Sequence, residues 1–462
     1  MSSRSLSLTR SFWNALGGNP SGLERLRFVG EEELPSCFPV TDFASASIAA
    51  AALSIGELLT QGGRAPSVTV DRRLASLWFG WSIEPIGWKL PSPWDPMAGD
   101  YRARDGWIRL HTNAPHHRAA AELVLGVHTD QAAVARAVAG WTKGALEAAV
   151  VQAGGCAAEM RSTAEWLAHP QGRAVSLEPL VHVQVWRDET KHAGWVPSPS
   201  RPLAGIRVLD LTRVLAGPVA TRFLAAYGAE VLRIDPPDWD EPGVVPEVTL
   251  GKRCARLDLR VAQERDRFEV LLAGADVLVH GYRPGALDRL GYDEPRRRAI
   301  SPGLIDISLD AYGWSGSWLG RRGFDSLVQM SSGIAHAGKK WQGANRPVPL
   351  PVQALDHATG YLLAAAAVRG LVNRQIGGGA TTARLSLART ACALGEASEG
   401  GEQAPLGPRS DCDLSPMIEA TTWGRARRVG APAIVAGAPM CWFRGASALG
   451  SARAAWEDVA SA

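Results

Sequence analysis

A chain of 462 residues exceeds one ordinary hydrophobic core, so two or three domains are expected. With 46% apolar and 21% charged residues, the composition is that of a soluble globular protein. A net charge of +3 argues against a nucleic-acid binder, although grouped arginines can still hold a small anion. Six cysteines (Cys37, Cys156, Cys254, Cys392, Cys412, Cys441) form no CxxC pair and no zinc spacing. A reduced cytoplasmic protein without a metal site is the expectation.

The opening "MSSRSLSLTRSFWNALGG" has two arginines and no acid, as in a weak transit peptide, but its apolar core is too short for a secretory signal. Residues 43–59 carry one charge, Glu57, and are rich in alanine. A buried helix is expected there rather than a membrane span. Further on, "GWIRLH" reads as a strand and 115–125 as a helix with proline in its first turn. More helices follow to residue 179, giving a small α+β domain over 96–182. Trp107, His111, His116 and His117 in it read as structural. Residues 183–201 read as a linker leading into "SPSRPLAG".

The pattern then turns to α/β. Strands are expected at 206–211, 230–235, 276–282 and 304–309, with a helix over "AGPVATRFLAAYGA" stopping near Gly228. Such alternation implies a parallel sheet with right-handed crossovers, whose ligands bind at the carboxyl ends of strands. The first turn, "TRVLAGPVATRFL", has one glycine, Gly217, where a dinucleotide site needs GxGxxG, and there is no GxxxxGK[ST]. What remains are basic groups, "LGKR" at 250–253, "YRPG" at 282–285 and Arg289, suited to phosphate oxygens or else to solvent.

Part of the chain repeats. "FPVTDFASASIAAAALSIGELLTQGGRAPSVTVDRRLASLWF" begins at Phe38, and "LPVQALDHATGYLLAAAAVRGLVNRQIGGGATTARLSLARTACAL" begins at Leu350. Asp42 matches Asp356 and Gly56 matches Gly370. A period this long implies duplication and fusion rather than a solenoid. Each aspartate stands at the start of an alanine-rich helix, where a cap is worth about 1 kcal/mol. A helix N-terminus also favours negative charge, which would keep a nucleophilic carboxylate ionised.

The ordered motifs "RPLAGIRVLDLTRVLAGPVATRFLAAYGAEVLRIDPP", "LGKRCARLDL", "ADVLVHGYRPGALDRLG", "ISLDAYGWSG", "GFDSLVQMSSGIA" and "ALDHATGYLLA" resemble class III coenzyme A transferases. That family includes formyl-CoA transferase, carnitine CoA-transferase and α-methylacyl-CoA racemase. The resemblance spans about 202–396, and 14–182 resembles the later part of a second, truncated member. It implies an α/β fold with a Rossmann-like parallel-sheet large domain, a smaller α+β domain and a partial internal duplication. The expected division is 1–95 for the partial copy, 96–182 for the small domain and 183–201 for the linker. The large domain would span 202–396, and a C-terminal segment, 397–462, would return to it.

The same resemblance implies that Asp356 is the nucleophile of a CoA transferase. It would pass through an aspartyl acyl anhydride and an aspartyl-CoA thioester, with acyl-CoA and a carboxylic acid as substrates and no permanently bound cofactor. Coenzyme A contacts would fall on Leu215, Ala216, Gly251, Lys252, Arg253, Gly281, Tyr282, Arg283, Arg289, Asp310, Ala311, Tyr312 and Gly313. Pro236 replaces a residue that is basic in some relatives, and Asp310 stands where some carry lysine. Oxyanion donors are expected near Gly360 or in the turn at 331–333, and His357 is expected to pack or touch CoA. An intertwined homodimer is implied, with no nucleic acid and no membrane. Racemases carry "GHD" where this chain has "GFD"; Phe324 supplies no acid or base, which argues against α-proton exchange. A racemase or isomerase and a non-catalytic CoA-binding protein are the alternatives.

Overall fold

The computed structural model describes residues 3–186, 195–397 and 404–457. The apolar runs of the second half form one seven-stranded sheet. Its order is Lys252–Arg256, Glu230–Asp235, Arg207–Leu211, Val277–His280, Ile305–Asp310, Thr381–Ser386, His182–Val185. The first six strands are parallel, and the last pairs antiparallel with Thr381–Ser386. This is a correction to the expected linker, since residues 183–185 belong to the sheet edge. "LGKR", expected as basic groups following a strand, instead opens the edge strand Lys252–Arg256.

Alanines and glycines let helices approach this sheet closely. Gly370 lies where an added Cβ would stand 2.7 Å from Ile305 Cγ2 on the sheet. The helix Ala354–Gln375 covers one face beside Ala216–Ala226, and Ala262–Ala273 covers the other with Phe268, Leu271 and Leu272. Lys252 is wholly buried, and its Nζ donates to Asp210 Oδ2 and to the Pro218 carbonyl, each at 3.0 Å.

The repeat is visible in backbone detail. The residues preceding the helices Val40–Thr60 and Ala354–Gln375 are Pro39 (φ −77, ψ 64) and Gln353 (φ −75, ψ 64). Each helix is followed by a strand whose last residue caps the next helix: Asp71 accepts the Leu74 N–H, and Ser386 accepts the Arg389 N–H. Asp42 and Asp356 are each the third residue of their helix, so neither is its N-cap. The two long helices pack together. Val40–Thr60 is long and apolar enough to cross a membrane, but it is buried within the protein.

Strands Leu26–Val29 and Val68–Asp71 pair in parallel, and Ala433–Val435 from the C-terminal segment joins them. That segment then reaches the large sheet, where the Ala452 N–H donates to the Cys254 carbonyl at 2.8 Å. Buried Glu247 ties the parts together, accepting from Ser82, Ile83, Arg222 and Arg428. The small unit has an antiparallel sheet of Gly99–Ala103, Gly106–Leu110 and Ala157–Glu159, with the Pro115–Leu125 helix starting on its proline as predicted. It docks on the large unit through Gln171, whose Nε2 donates to the Tyr312 carbonyl at 2.9 Å. Gly333 (φ +91) also belongs to that contact, since a Cβ there would meet the Thr163 nitrogen at 2.3 Å.

Candidate functional site at Asp356

Asp356 is buried but reaches the common wall of two cavities. Asp325, of the "GFD" motif, stands directly before its helix. Asp325 Oδ2 accepts the Leu355 and Asp356 N–H groups at 2.9 and 3.0 Å, and Gln329 donates to its other oxygen. The positive end of the helix is therefore already answered by one carboxylate. Among the described residues, no side chain donates to the Asp356 carboxylate. Burial first, and the Asp325 charge second, hold Asp356 well above the usual carboxylate range. Burial pushes Asp325 up to about 6. The helix start thus does not offset the upward push on Asp356, contrary to the expectation from sequence, because Asp325 has taken its N–H groups.

The first cavity, about 390 Å³, lies at the carboxyl ends of the central strands. Leu215, Ala216, Gly281, Tyr282, Arg283, Asp310 and Ala311 line it, as the resemblance implies. Arg213, Trp239, Arg321 and Arg322 line it too. The Arg213 guanidinium sits 4.8 Å from the Trp239 ring centre, and its Nη2 donates to the Tyr282 hydroxyl at 3.3 Å. Burial and the nearby Arg322 and Arg289 charges depress the Arg283 pKa, outweighing the opposing Asp310. Burial also pushes Asp310 up to about 7.

Six of the predicted contacts line neither cavity. Gly251, Lys252 and Arg253 lie at the start of the edge strand. Lys252 is committed to Asp210, and Arg253 to Glu230 and the Ala455 carbonyl. Arg289 ends a short helix beyond the cavity rim. Tyr312 is buried against Ser331, and Gly313 faces Val175 and Glu178 of the small unit. Pro236 is likewise outside, its carbonyl accepting from Arg256. Neither expected oxyanion donor fits: a Cβ on Gly360 would stand 2.5 Å from the Ala216 carbonyl, so this glycine serves helix packing, and Gly333 faces Thr163.

The turn before the Ala216–Ala226 helix is unusual. Val214 has φ 63, a left-handed conformation that a β-branched residue rarely adopts, and its N–H donates to Glu241 Oε2 at 2.9 Å. Gly217 is required beside it, since a Cβ there would lie 2.3 Å from the Thr212 side chain. The strained turn brings Val214 and Leu215 to both cavities.

The second cavity, about 230 Å³, is mainly apolar. Phe79 and Trp81 come from the first copy, Trp94 and His111 from the small unit's side, and Phe324 and Val352 from the large unit. Phe324 stacks on His111 with ring centres 3.7 Å apart. His357 stacks on Phe79 at 5.1 Å, a packing role. The small unit's histidines were read as structural, yet His111 lines this cavity and His116 and His117 the first one; Trp107 lines neither and packs, part-buried, against the cluster of Leu327 and Met330. The missed residues Arg321 and Arg322 were signalled only by "GRRGFD", two arginines just before the aspartate motif.

Asp42 stands in a contrasting setting. Arg4 Nη1 and Arg72 Nη2 approach its oxygens at 3.2 and 3.1 Å, and the Ser5 hydroxyl donates to it. Arg72 follows the capping strand end, the place that Leu387 holds in the second copy, where Leu387 lines the open cavity. In the first copy, that space holds an arginine bound to the aspartate.

Residues 203–407 match the model of CoA-transferase family III. The chain is 34% identical to the acetyl-coenzyme A transferase nodX of Hypoxylon pulicicidum, over 49% of this chain and 40% of that one. It is 32% identical to the probable fatty acyl-CoA transferase Rv3272 of Mycobacterium tuberculosis, over 43% and 53%. A crystal structure of the latter covers 43% of this chain and 58% of that one, at 30% identity and a TM-score of 0.39. The murine succinyl-CoA:glutarate CoA-transferase is 34% identical over 38% and 42%. The chain thus spans about half the length of the curated relatives it matches. The likeness to CoA-transferase family III thus lies in the 203–407 segment, whose ordered motifs run from the first sheet strand to the Asp356 helix.

Proposed function

We propose that this protein transfers coenzyme A from an acyl-CoA to a carboxylate acceptor, with Asp356 as the covalent carrier. The observation that carries the reading is an unpartnered carboxylate at the junction of an arginine-rich cavity and an apolar one. The Asp356 carboxylate attacks the thioester carbonyl, giving an aspartyl acyl anhydride and CoA thiolate. The thiolate attacks the aspartyl carbonyl, giving an aspartyl-CoA thioester and releasing the first carboxylate. The acceptor carboxylate then displaces the thiolate to form a second anhydride. The thiolate attacks the acyl carbonyl of that anhydride, which releases the new acyl-CoA and restores Asp356. Each step is an exchange between acyl derivatives and needs no oxidant or metal.

Phosphate groups of CoA would lie with Arg213, Arg283 and Arg322, and the start of the Ala216–Ala226 helix, beside the strained Val214 turn, is the reading's source of oxyanion donors. Charge-neutral replacements of Arg283 and Arg322 should weaken CoA binding by about 1–3 kcal/mol each in calorimetry, while Arg253→Gln should leave it unchanged. The decisive experiment is incubation with a panel of acyl-CoAs, followed by intact mass measurement. Wild-type protein should gain a CoA-thioester mass, and Asp356→Asn should not. An adduct that persists in Asp356→Asn would refute the reading.

The resemblance implies an intertwined homodimer with sites shared between chains. Here His111 and His117 of the small unit meet Phe324 of the same chain, at ring separations of 3.7 and 5.7 Å. That supports a site assembled within one chain, with the first copy and the small unit standing where a partner subunit would.

A further inference from the structure

The second cavity narrows the chemistry of the transferred group. Its wall combines Phe79, Trp81, Trp94, Val244, Phe324 and Val352 around the Asp325 and Asp356 carboxylates. Among its described lining residues there is no lysine or arginine. Its two histidines, His111 and His357, are neutral at physiological pH, since burial pushes both down to about 3. The neighbouring cation, Arg109, is held outside by Asp100 at 2.7 Å and lies over the Trp94 ring at 5.1 Å. A carboxylate or phosphate carried by the acyl group would therefore be buried next to acids with no counter-charge, which is strongly unfavourable.

We propose that the acyl group exchanged at Asp356 is uncharged and bulky-apolar, aromatic or branched aliphatic, and that Trp81 of the duplicated N-terminal copy, with Trp94, sets its size. This rests on the reading of Asp356 as the CoA carrier. It applies to both substrates, because donor and acceptor acyl groups occupy the same anhydride position in turn. It also gives the first copy a task. Its own aspartate is bound by Arg4 and Arg72, while the end of its Arg72–Trp78 helix runs into the Phe79–Trp81 wall of the other aspartate's cavity.

The test compares kcat/KM for acetyl-, isovaleryl-, phenylacetyl- and succinyl-CoA, each exchanging CoA with the isotopically labelled form of its own carboxylate. Phenylacetyl- and isovaleryl-CoA should exceed succinyl-CoA by at least roughly 100-fold, the scale at which an apolar pocket rejects a polar analogue. Trp81→Ala should lower the phenylacetyl-CoA value about 10-fold more than the acetyl-CoA value, as expected for a lost pocket wall. If Trp81→Ala does not fold, Trp94→Leu, at a more exposed position, should shift the same ratio in the same direction. Succinyl-CoA turning over as well as phenylacetyl-CoA would overturn the proposal while leaving Asp356 as carrier. So would a Trp81 or Trp94 variant that slows acetyl- and phenylacetyl-CoA equally. Absence of exchange with all four thioesters, together with absence of any adduct on Asp356, would overturn the transferase reading itself and the proposal with it.

Discussion

At the scale of single residues, the site turns on two buried carboxylates, one hydrogen-bonded and one, among the described residues, not. Asp325 answers the helix N–H groups, and Asp356 is left to the cavities with a raised pKa. Folded protein thus retains a proton on Asp356 that the unfolded chain releases in the ordinary carboxylate range. Stability contributed by the protonated form is lost as pH rises through the window between the two values. Asp356→Asn should accordingly raise Tm by a few degrees at pH 7.5, with the gain shrinking towards pH 4; calorimetry at the two pH values checks it. The same variant should lose turnover by at least about 10³-fold while CoA binding stays near wild type, the pattern of a lost nucleophile. The sequence located Asp356 but not its ionisation, because the partner that decides it lies 31 positions upstream. Lys252 and Arg253 were expected to touch phosphate for a similar reason: a basic run shows its charge but not its partners, here Asp210 and Glu230.

At the scale of elements, two alanine-rich helices built from one repeated unit have diverged. The Asp356 helix is held against Ala216 by Gly360, so Gly360→Ala should force the Leu215–Ala216 wall outward. Overpacking of this kind costs about 1–3 kcal/mol. The expected result is a lower urea midpoint together with a higher KM for CoA substrates. The Asp42 helix instead carries a buried ion pair. Asp42→Asn removes one of the two acids that hold Arg72, leaving Glu33 among the described residues, and breaking a buried pair costs on the order of 3 kcal/mol. Urea unfolding should show that loss with turnover at the remaining folded sites intact. Helix periodicity, the repeat and the proline-started helix at 115–125 were all legible, since each depends on local pattern. The edge strand His182–Val185 was not, because it is defined by its pairing with Thr381–Ser386, almost two hundred residues away.

At the scale of the whole molecule, one chain gathers what the family resemblance assigns to two. The first copy supplies Phe79 and Trp81, the small unit supplies His111 and His117, and the large unit supplies Asp356 and the arginines. If this assembly is self-sufficient, specific activity should stay constant on dilution through the range where light scattering reports only single chains; a fall in parallel with dissociation would instead point to sites shared between chains. The order of the sheet could be anticipated from βα alternation, but the joining of first copy, small unit and large unit around one aspartate could not, because no local pattern encodes which surfaces meet. The central claim is that only one of the two repeated aspartates carries CoA. The most direct measurement is to incubate the wild-type protein with an acyl-CoA that it turns over, trap the activated carboxylate with hydroxylamine, and map the modified peptide by mass spectrometry. The hydroxamate is predicted on Asp356, with the Asp42 peptide unmodified; a hydroxamate on Asp42, or on neither aspartate while turnover proceeds, would contradict the account.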